Sequence, residues 1–203
     1  MADIVAYRIA GWDTPFWVSP NRWPRRFNKA GRGPVQYWAL HPLGPLAEVL
    51  RAQGLRSPDA LQELRLRVWV SRVKVRKVEE VNFDNAGDYG LEPQHLISDD
   101  YGACQELGDR CLREGDSPEV LEVPSAALPG TRNLVMFGPR VAVPYLIDPI
   151  GPTDVPTSIC AEGSRAPAEL LPLVRHLGEP HTEFEAWRTG TAFAFAEPDI
   201  GRS

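Results

Sequence analysis

The sequence predicts a single α+β domain. Its 203 residues exceed one small domain and fall short of two ordinary ones. Short apolar runs of strand character alternate irregularly with a few short helical patterns, without the regular strand–helix repeat of a parallel α/β fold. The composition, with 43% hydrophobic, 24% charged and 9% aromatic residues, is that of an ordinary globular chain. Disordered, collagenous and coiled-coil classes are excluded.

Ile4–Ile9 and Val35–Leu40 read as strands, set in an N-terminal region rich in Trp, Gly, Pro and Arg. From Pro45, the run PLAEVLRAQG places Leu46, Val49 and Leu50 at helical spacing, with Pro at a first-turn position and Gly54 as a stop. A short amphipathic helix follows from that. Leu66, Val68 and Val70 alternate, the phase changes near Ser71–Arg72, and Val73 and Val75 continue the alternation. Leu66–Val81 is therefore two strands or one bulged strand. Asn82–Asp100 reads as a loop, and Tyr101–Glu114 as a helix with Cys104, Leu107, Cys111 and Leu112 on its apolar stripe. Val120–Val123 and Leu134–Phe137 read as core strands around a turn marked by Pro124, Pro129 and Gly130. Beyond a Pro-rich stretch around Pro144–Pro156, a helix is expected at Ala168–His176 and a terminal strand around Phe193–Pro198.

Charge and cysteine content narrow the function classes. The net charge of −5 argues against a general nucleic-acid binder, although Arg22, Arg25, Arg26, Lys29 and Arg32 make one segment locally basic. Cys104, Cys111 and Cys160 cannot all pair within the chain and show no CxxC spacing, which fits a reducing cytoplasm. No membrane segment or secretory leader is expected. The four histidines are scattered, so no metal site is expected, and neither GxGxxG nor GxxxxGK[ST] occurs. A Ser hydrolase is disfavoured, because Ser125 lies in V-P-S-A rather than G-x-S-x-G.

Six polar residues stand out against apolar or turn-rich surroundings: Arg8, Arg26, Tyr37, Glu48, Ser125 and Asn133. Singly, each has an ordinary explanation. Glu48 reads as a solvated helix carboxylate, Ser125 as a turn cap, the arginines as surface cations and Tyr37 as a core aromatic. In order, they form a pattern. Tyr7-Arg8-Ile9, Arg26-Phe27-Asn28, Gly33-Pro34-Val35 with Tyr37, Leu46-Ala47-Glu48, Gln105-Glu106-Leu107-Gly108-Asp109, and Leu121-Glu122-Val123-Pro124-Ser125 followed by Asn133 resemble the motifs of the RES domain, a family named for Arg, Glu and Ser. The resemblance covers about residues 7–137. Phe27 replaces a frequent Trp, and Phe137-Gly138-Pro139-Arg140-Val141 lacks the histidine often found there.

The resemblance implies a fold related to ADP-ribosyltransferases, with a mixed, largely antiparallel split sheet in one domain spanning 1–203, its ending extended over about 142–203. It also implies NAD as substrate, cleavage of the nicotinamide–ribose bond and a toxin role opposite an Xre-type antitoxin. Arg8, Arg26, Tyr37, Glu48 and Ser125 fall on the family's active-site positions, and Asn133 is a further candidate. The chemistry suits these residue types. An ionised Glu48 stabilises an oxocarbenium-like ribose, and the forks of Arg8 and Arg26 suit a diphosphate. Tyr37 is expected to stack on nicotinamide, and Ser125 to hydrogen-bond the carboxamide or ribose. The competing expectation is a module that keeps the scaffold and binds NAD without cleaving it. Whether water, phosphate or a protein accepts the ADP-ribosyl group, and whether the chain self-associates, is left open by the sequence.

Overall fold

The computed structural model describes residues 2–10, 22–75, 77–113, 118–138 and 158–200. The Pro-rich stretch and Pro139–Val141 lie outside them. Seven strands form one sheet: β1 (Ala2–Ile9), β2 (Val35–Ala39), β3 (Leu66–Val75), β4 (Val78–Glu80), β5 (Val120–Pro124), β6 (Arg132–Phe137) and β7 (Ser158–Ser164). Their order is β4-β5-β6-β2-β1-β3-β7, with β4 and β5 parallel and every other pair antiparallel. The helices are α1 (Gly44–Gln53), α2 (Pro58–Gln62), α3 (Gly102–Arg113) and α4 (Thr182–Arg188). This is the mixed α+β architecture expected.

The sheet is divided in the middle. β1 runs in register with β3 from Ala2↔Val75 to Ile9↔Val68, and β2 runs in register with β6 over its full length. Between β1 and β2 the register has a single pair, Tyr7↔Ala39. Two well-paired half-sheets therefore meet at one point, the split that the family resemblance implied.

The two faces of the sheet have different cores. Val35, Leu121, Val123, Val135 and Phe137 pack with Phe27, Leu96, Cys104 and Leu107 on one half, and on the other half Val68 packs with Leu46, Ala47 and Leu50 of α1. The opposite face carries Ala6, Trp38, Val73, Val75, Leu134 and Met136. The phase change near Ser71 is thereby explained. The β1–β3 register is unbroken there, but the strand exchanges which face it buries, from Val68 on the α1 side to Val73 and Val75 on the other. A bulge does exist, between Leu66 and Val68 where β3 meets β7.

Local signals place most elements. Pro45 in the first turn and Gly54, left-handed at φ 66°, bound α1 as expected. The expected loop at 82–100 instead holds two short 3₁₀ turns, Ala86–Tyr89 and Pro93–Leu96, over buried Val81, Phe83, Leu91, Leu96 and Ile97. Two C-terminal expectations are corrected. Ala168–Leu173 is a 3₁₀ turn rather than a helix to His176, because Pro172 removes an amide donor. Phe193–Pro198 forms no strand: Phe195 packs beside the α1 core and stacks edge-on against His41. The last described strand is instead β7, and α4 follows it, opened by His181, whose side chain accepts the Phe184 N–H.

Candidate functional site

Glu48 lies on α1, half-buried, and its Oε1 accepts a hydrogen bond from Asn133 Nδ2 at 3.1 Å. Asn133 is placed by the sheet. It pairs with Ala39 on β2 and Val123 on β5, and Ala39 pairs with Tyr7, so these four residues form one row facing α1. The remaining amide oxygen, Asn133 Oδ1, is buried and has no hydrogen-bond partner. An unpaired buried acceptor beside a carboxylate costs on the order of 1–3 kcal/mol, which makes it a natural place for an incoming donor.

Tyr37 is two residues before Ala39 on β2 and so shares the face of Asn133. Its hydroxyl accepts the Phe27 N–H and donates to Asn28 Oδ1, both at 2.9 Å. Burial drives its pKa upward, against weaker opposing effects of the Phe27 amide and of Arg26 and Arg25, so it stays a neutral phenol. Its role is thus to hold the arginine loop. Arg26, next in that loop, donates through Nη1 to the Ser98 carbonyl at 2.6 Å and to the His95 carbonyl at 3.4 Å, with its guanidinium 4.8 Å from the Tyr101 ring centre.

The Gln105–Asp109 motif grips the same loop from α3. Gln105 Nε2 donates to the Arg25 carbonyl at 3.0 Å, and Lys29 is paired with Glu106 and, at 3.2 Å, with buried Asp109. Gly108 is required by contact: a Cβ there would stand 1.9 Å from the Phe27 carbonyl oxygen. Gln105, Glu106, Gly108 and Asp109 therefore hold the loop that carries Arg26.

One predicted residue sits elsewhere. Arg8 follows Tyr7, so strand alternation turns it to the opposite face, where it pairs with Trp69 in register and lies 5.6 Å from the Trp38 ring centre. The structure does not bring it to the Glu48 side with Arg26. Its Nη1 is buried without a partner, and burial pulls its pKa down to about 10. Ser125 is wholly buried, and its Oγ accepts the Leu128 N–H at 3.1 Å, closing the turn after β5. In this conformation the hydroxyl oxygen serves as the turn cap of the ordinary reading.

Arg51, Asp99 and Arg175 carry no motif in the sequence, yet they meet in the fold. Arg51, 4% exposed on α1, donates to the Ala126 carbonyl at 2.8 Å and to Asp99 Oδ1 at 2.5 Å. Arg175 donates to the same Oδ1 at 2.9 Å and to the Ile97 carbonyl at 3.0 Å. One signal was available: Arg51 stands four residues after Ala47 and beside Leu50, on the buried stripe of α1. Cys104 and Cys111 are buried, and burial pushes the Cys104 thiol up to about 11, so it carries no nucleophile at neutral pH. Among the described residues no cluster of His, Cys, Asp and Glu suits a metal ion, and no helix is long and apolar enough to cross a membrane.

A family model, the RES domain, matches residues 5–154, which include Arg8, Arg26, Tyr37, Glu48, Ser125 and Asn133. The chain belongs to the RES domain family. A chain in the crystal structure of the M. tuberculosis MbcT–MbcA toxin–antitoxin complex has the same fold, with a TM-score of 0.58 and 22% identity over 79% of this chain and 85% of that one. A search of curated proteins finds no match. The RES match ends before β7, so β7, Arg175 and α4 lie beyond it.

Proposed function

We propose that this RES domain protein is a toxin that cleaves the nicotinamide–ribose bond of NAD. The observation that carries the reading is the Glu48–Asn133 pair: a carboxylate held by an amide whose other end is buried and unsatisfied. Loss of nicotinamide leaves positive charge on the ribose, and a fixed carboxylate is the group that stabilises it. Asn133 keeps Glu48 in one orientation, and its Oδ1 accepts from a ribose hydroxyl or the carboxamide. Tyr37 and the α3 motif hold the loop of Arg26, the guanidinium assigned here to the diphosphate, which has no glycine-rich cradle in this chain.

Arg8 has a place in this reading despite its face. Its Nη1, buried without a hydrogen-bond partner, is unfavourable in the free protein, and β1 leaves β2 just beyond Tyr7. A phosphate entering between the half-sheets supplies the missing anion. Ser125 shapes the turn beside Asn133, and its hydroxyl is the candidate donor to the carboxamide or ribose.

The toxin reading draws on the family and on the toxin–antitoxin complex that the fold resembles. It carries with it an Xre-type antitoxin as partner and the cytoplasm as site of action. The test is nicotinamide release from NAD by the purified protein. Turnover by the wild type that Glu48→Ala abolishes supports the reading, and wild-type turnover no faster than the variant's overturns it in favour of a module that binds NAD without cleaving it. Adding inorganic phosphate or a bacterial lysate to the same assay identifies the acceptor.

A further inference from the structure

The segment beyond the RES match reaches back to the candidate site through buried polar side chains. Arg175, 8% exposed, donates from Nε to the Glu179 carbonyl at 2.8 Å and from Nη1 to the Ile97 carbonyl and Asp99 Oδ1, while its backbone carbonyl accepts from Arg51 Nη1 at 3.2 Å. Asp99 gathers these contacts: Oδ1 accepts from Arg51 and Arg175, and Oδ2 from the Gly178 N–H at 2.7 Å. Arg51 is one turn after Glu48 on α1, and Ser98, beside Asp99, is the acceptor of Arg26. One carboxylate thus joins the helix of Glu48 to the loop that seats Arg26, and Arg175 completes its coordination from outside the family-matched span.

We propose that Arg175 is a positioning residue for the NAD-cleaving reaction, acting through Asp99 to fix α1 and the 97–101 loop relative to each other, so that the C-terminal segment is part of the working site. The inference rests on the reading given under Proposed function. Two anchors from the same segment agree with it. His181 Nε2 lies 3.0 Å from the Ser125 carbonyl, and Glu183 accepts from the Gly130 N–H at 2.8 Å and Arg132 at 2.7 Å, at the start of the strand that carries Asn133. Because Nδ1 of His181 accepts the Phe184 N–H, its Nε2 carries the proton and donates to Ser125.

The experiment compares wild type, Arg175→Ala and Arg175→Lys in two ways below their melting temperatures: nicotinamide release, resolved into kcat and KM, and amide hydrogen exchange. A loss of alignment lowers kcat by about tenfold or more with KM changed less than about twofold, since misplacement by an ångström is already costly in rate. Exchange should quicken together in residues 44–53 and 97–101, neither of which contains position 175. Arg175→Lys, which keeps the charge but cannot span the same acceptors, should fall between the two and guards against an Ala variant that fails to fold. An unchanged kcat in a turning-over protein, or quickened exchange confined to 171–179, overturns the proposal. A wild type inert on NAD sinks the enzymatic reading instead, and the exchange pattern then decides the structural part alone.

Discussion

Glu48 and Asn133 are separated by 85 positions in the chain and by 3.1 Å between side-chain atoms. The contact exists because β6 pairs with β2 in a register that sets Asn133 opposite Ala39, in the row that faces α1. A carboxylate on a ten-residue helix gains a fixed orientation from a strand formed much later in the sequence.

Replacing Glu48 by Gln removes the charge and keeps the shape. NAD cleavage should fall by about 10²–10³, equivalent to about 3–4 kcal/mol of barrier, with little change in melting temperature. Asn133→Ala should act in the same direction and less strongly, because it releases the carboxylate without removing it. Initial rates of nicotinamide release alongside thermal melts check both.

Arg8 separates stability from binding. Arg8→Met removes a guanidinium whose Nη1 is buried without a hydrogen-bond partner beside Trp38, and the free protein should be as stable as the wild type or more so. Its KM for NAD should rise by about tenfold to a hundredfold, the value of a charge-assisted hydrogen bond of about 1.5–3 kcal/mol. A variant that loses stability and keeps its KM would place Arg8 in the architecture alone.

Gly108→Ala tests the clamp on the arginine loop. The new methyl would meet the Phe27 carbonyl, and relief by backbone movement should cost about 1–3 kcal/mol in urea unfolding. Gly87→Ala, where nothing lies within 4 Å of the added Cβ, is the matched control and should change stability by well under that amount. Tyr37→Phe should weaken the same loop from its other side, because the Phe27 N–H loses its acceptor.

Asp99 should be visible in acid unfolding. Burial opposes its ionisation, but the Gly178 amide and the Arg175 and Arg51 guanidiniums outweigh that and hold its pKa below the usual carboxylate value. A carboxylate depressed in the folded state contributes stability that is complete above its unfolded pKa, about 3.9, and is lost as the pH falls through the folded value. Asp99→Asn should therefore be less stable at neutral pH and show a flatter acid limb, as measured by urea unfolding from pH 7 to pH 3. By contrast, breaking the exposed Arg56–Glu179 pair by Arg56→Ala should leave the urea midpoint essentially unchanged.

Much of the architecture was legible from local pattern. Pro45 and Gly54 bounded α1, alternation located the strands, and the spaced motifs pointed to the RES family and its split sheet. Those signals report burial phase and backbone preference, both of which are properties of neighbouring residues. The face of Arg8, the Leu128 amide bound by the Ser125 hydroxyl oxygen and the hub at Asp99 are of another kind. Each depends on which distant strand, turn or guanidinium arrives beside the residue, and a single strand step reverses the face a side chain presents. The sequence by itself determined most elements as far as β6 and the residues able to do chemistry. Only the tertiary structure decided that the Gln105–Asp109 motif serves Arg26 and that Arg175 reaches Asp99, because hydrogen-bond partners far apart in the chain are chosen by sheet register and packing rather than by local spacing.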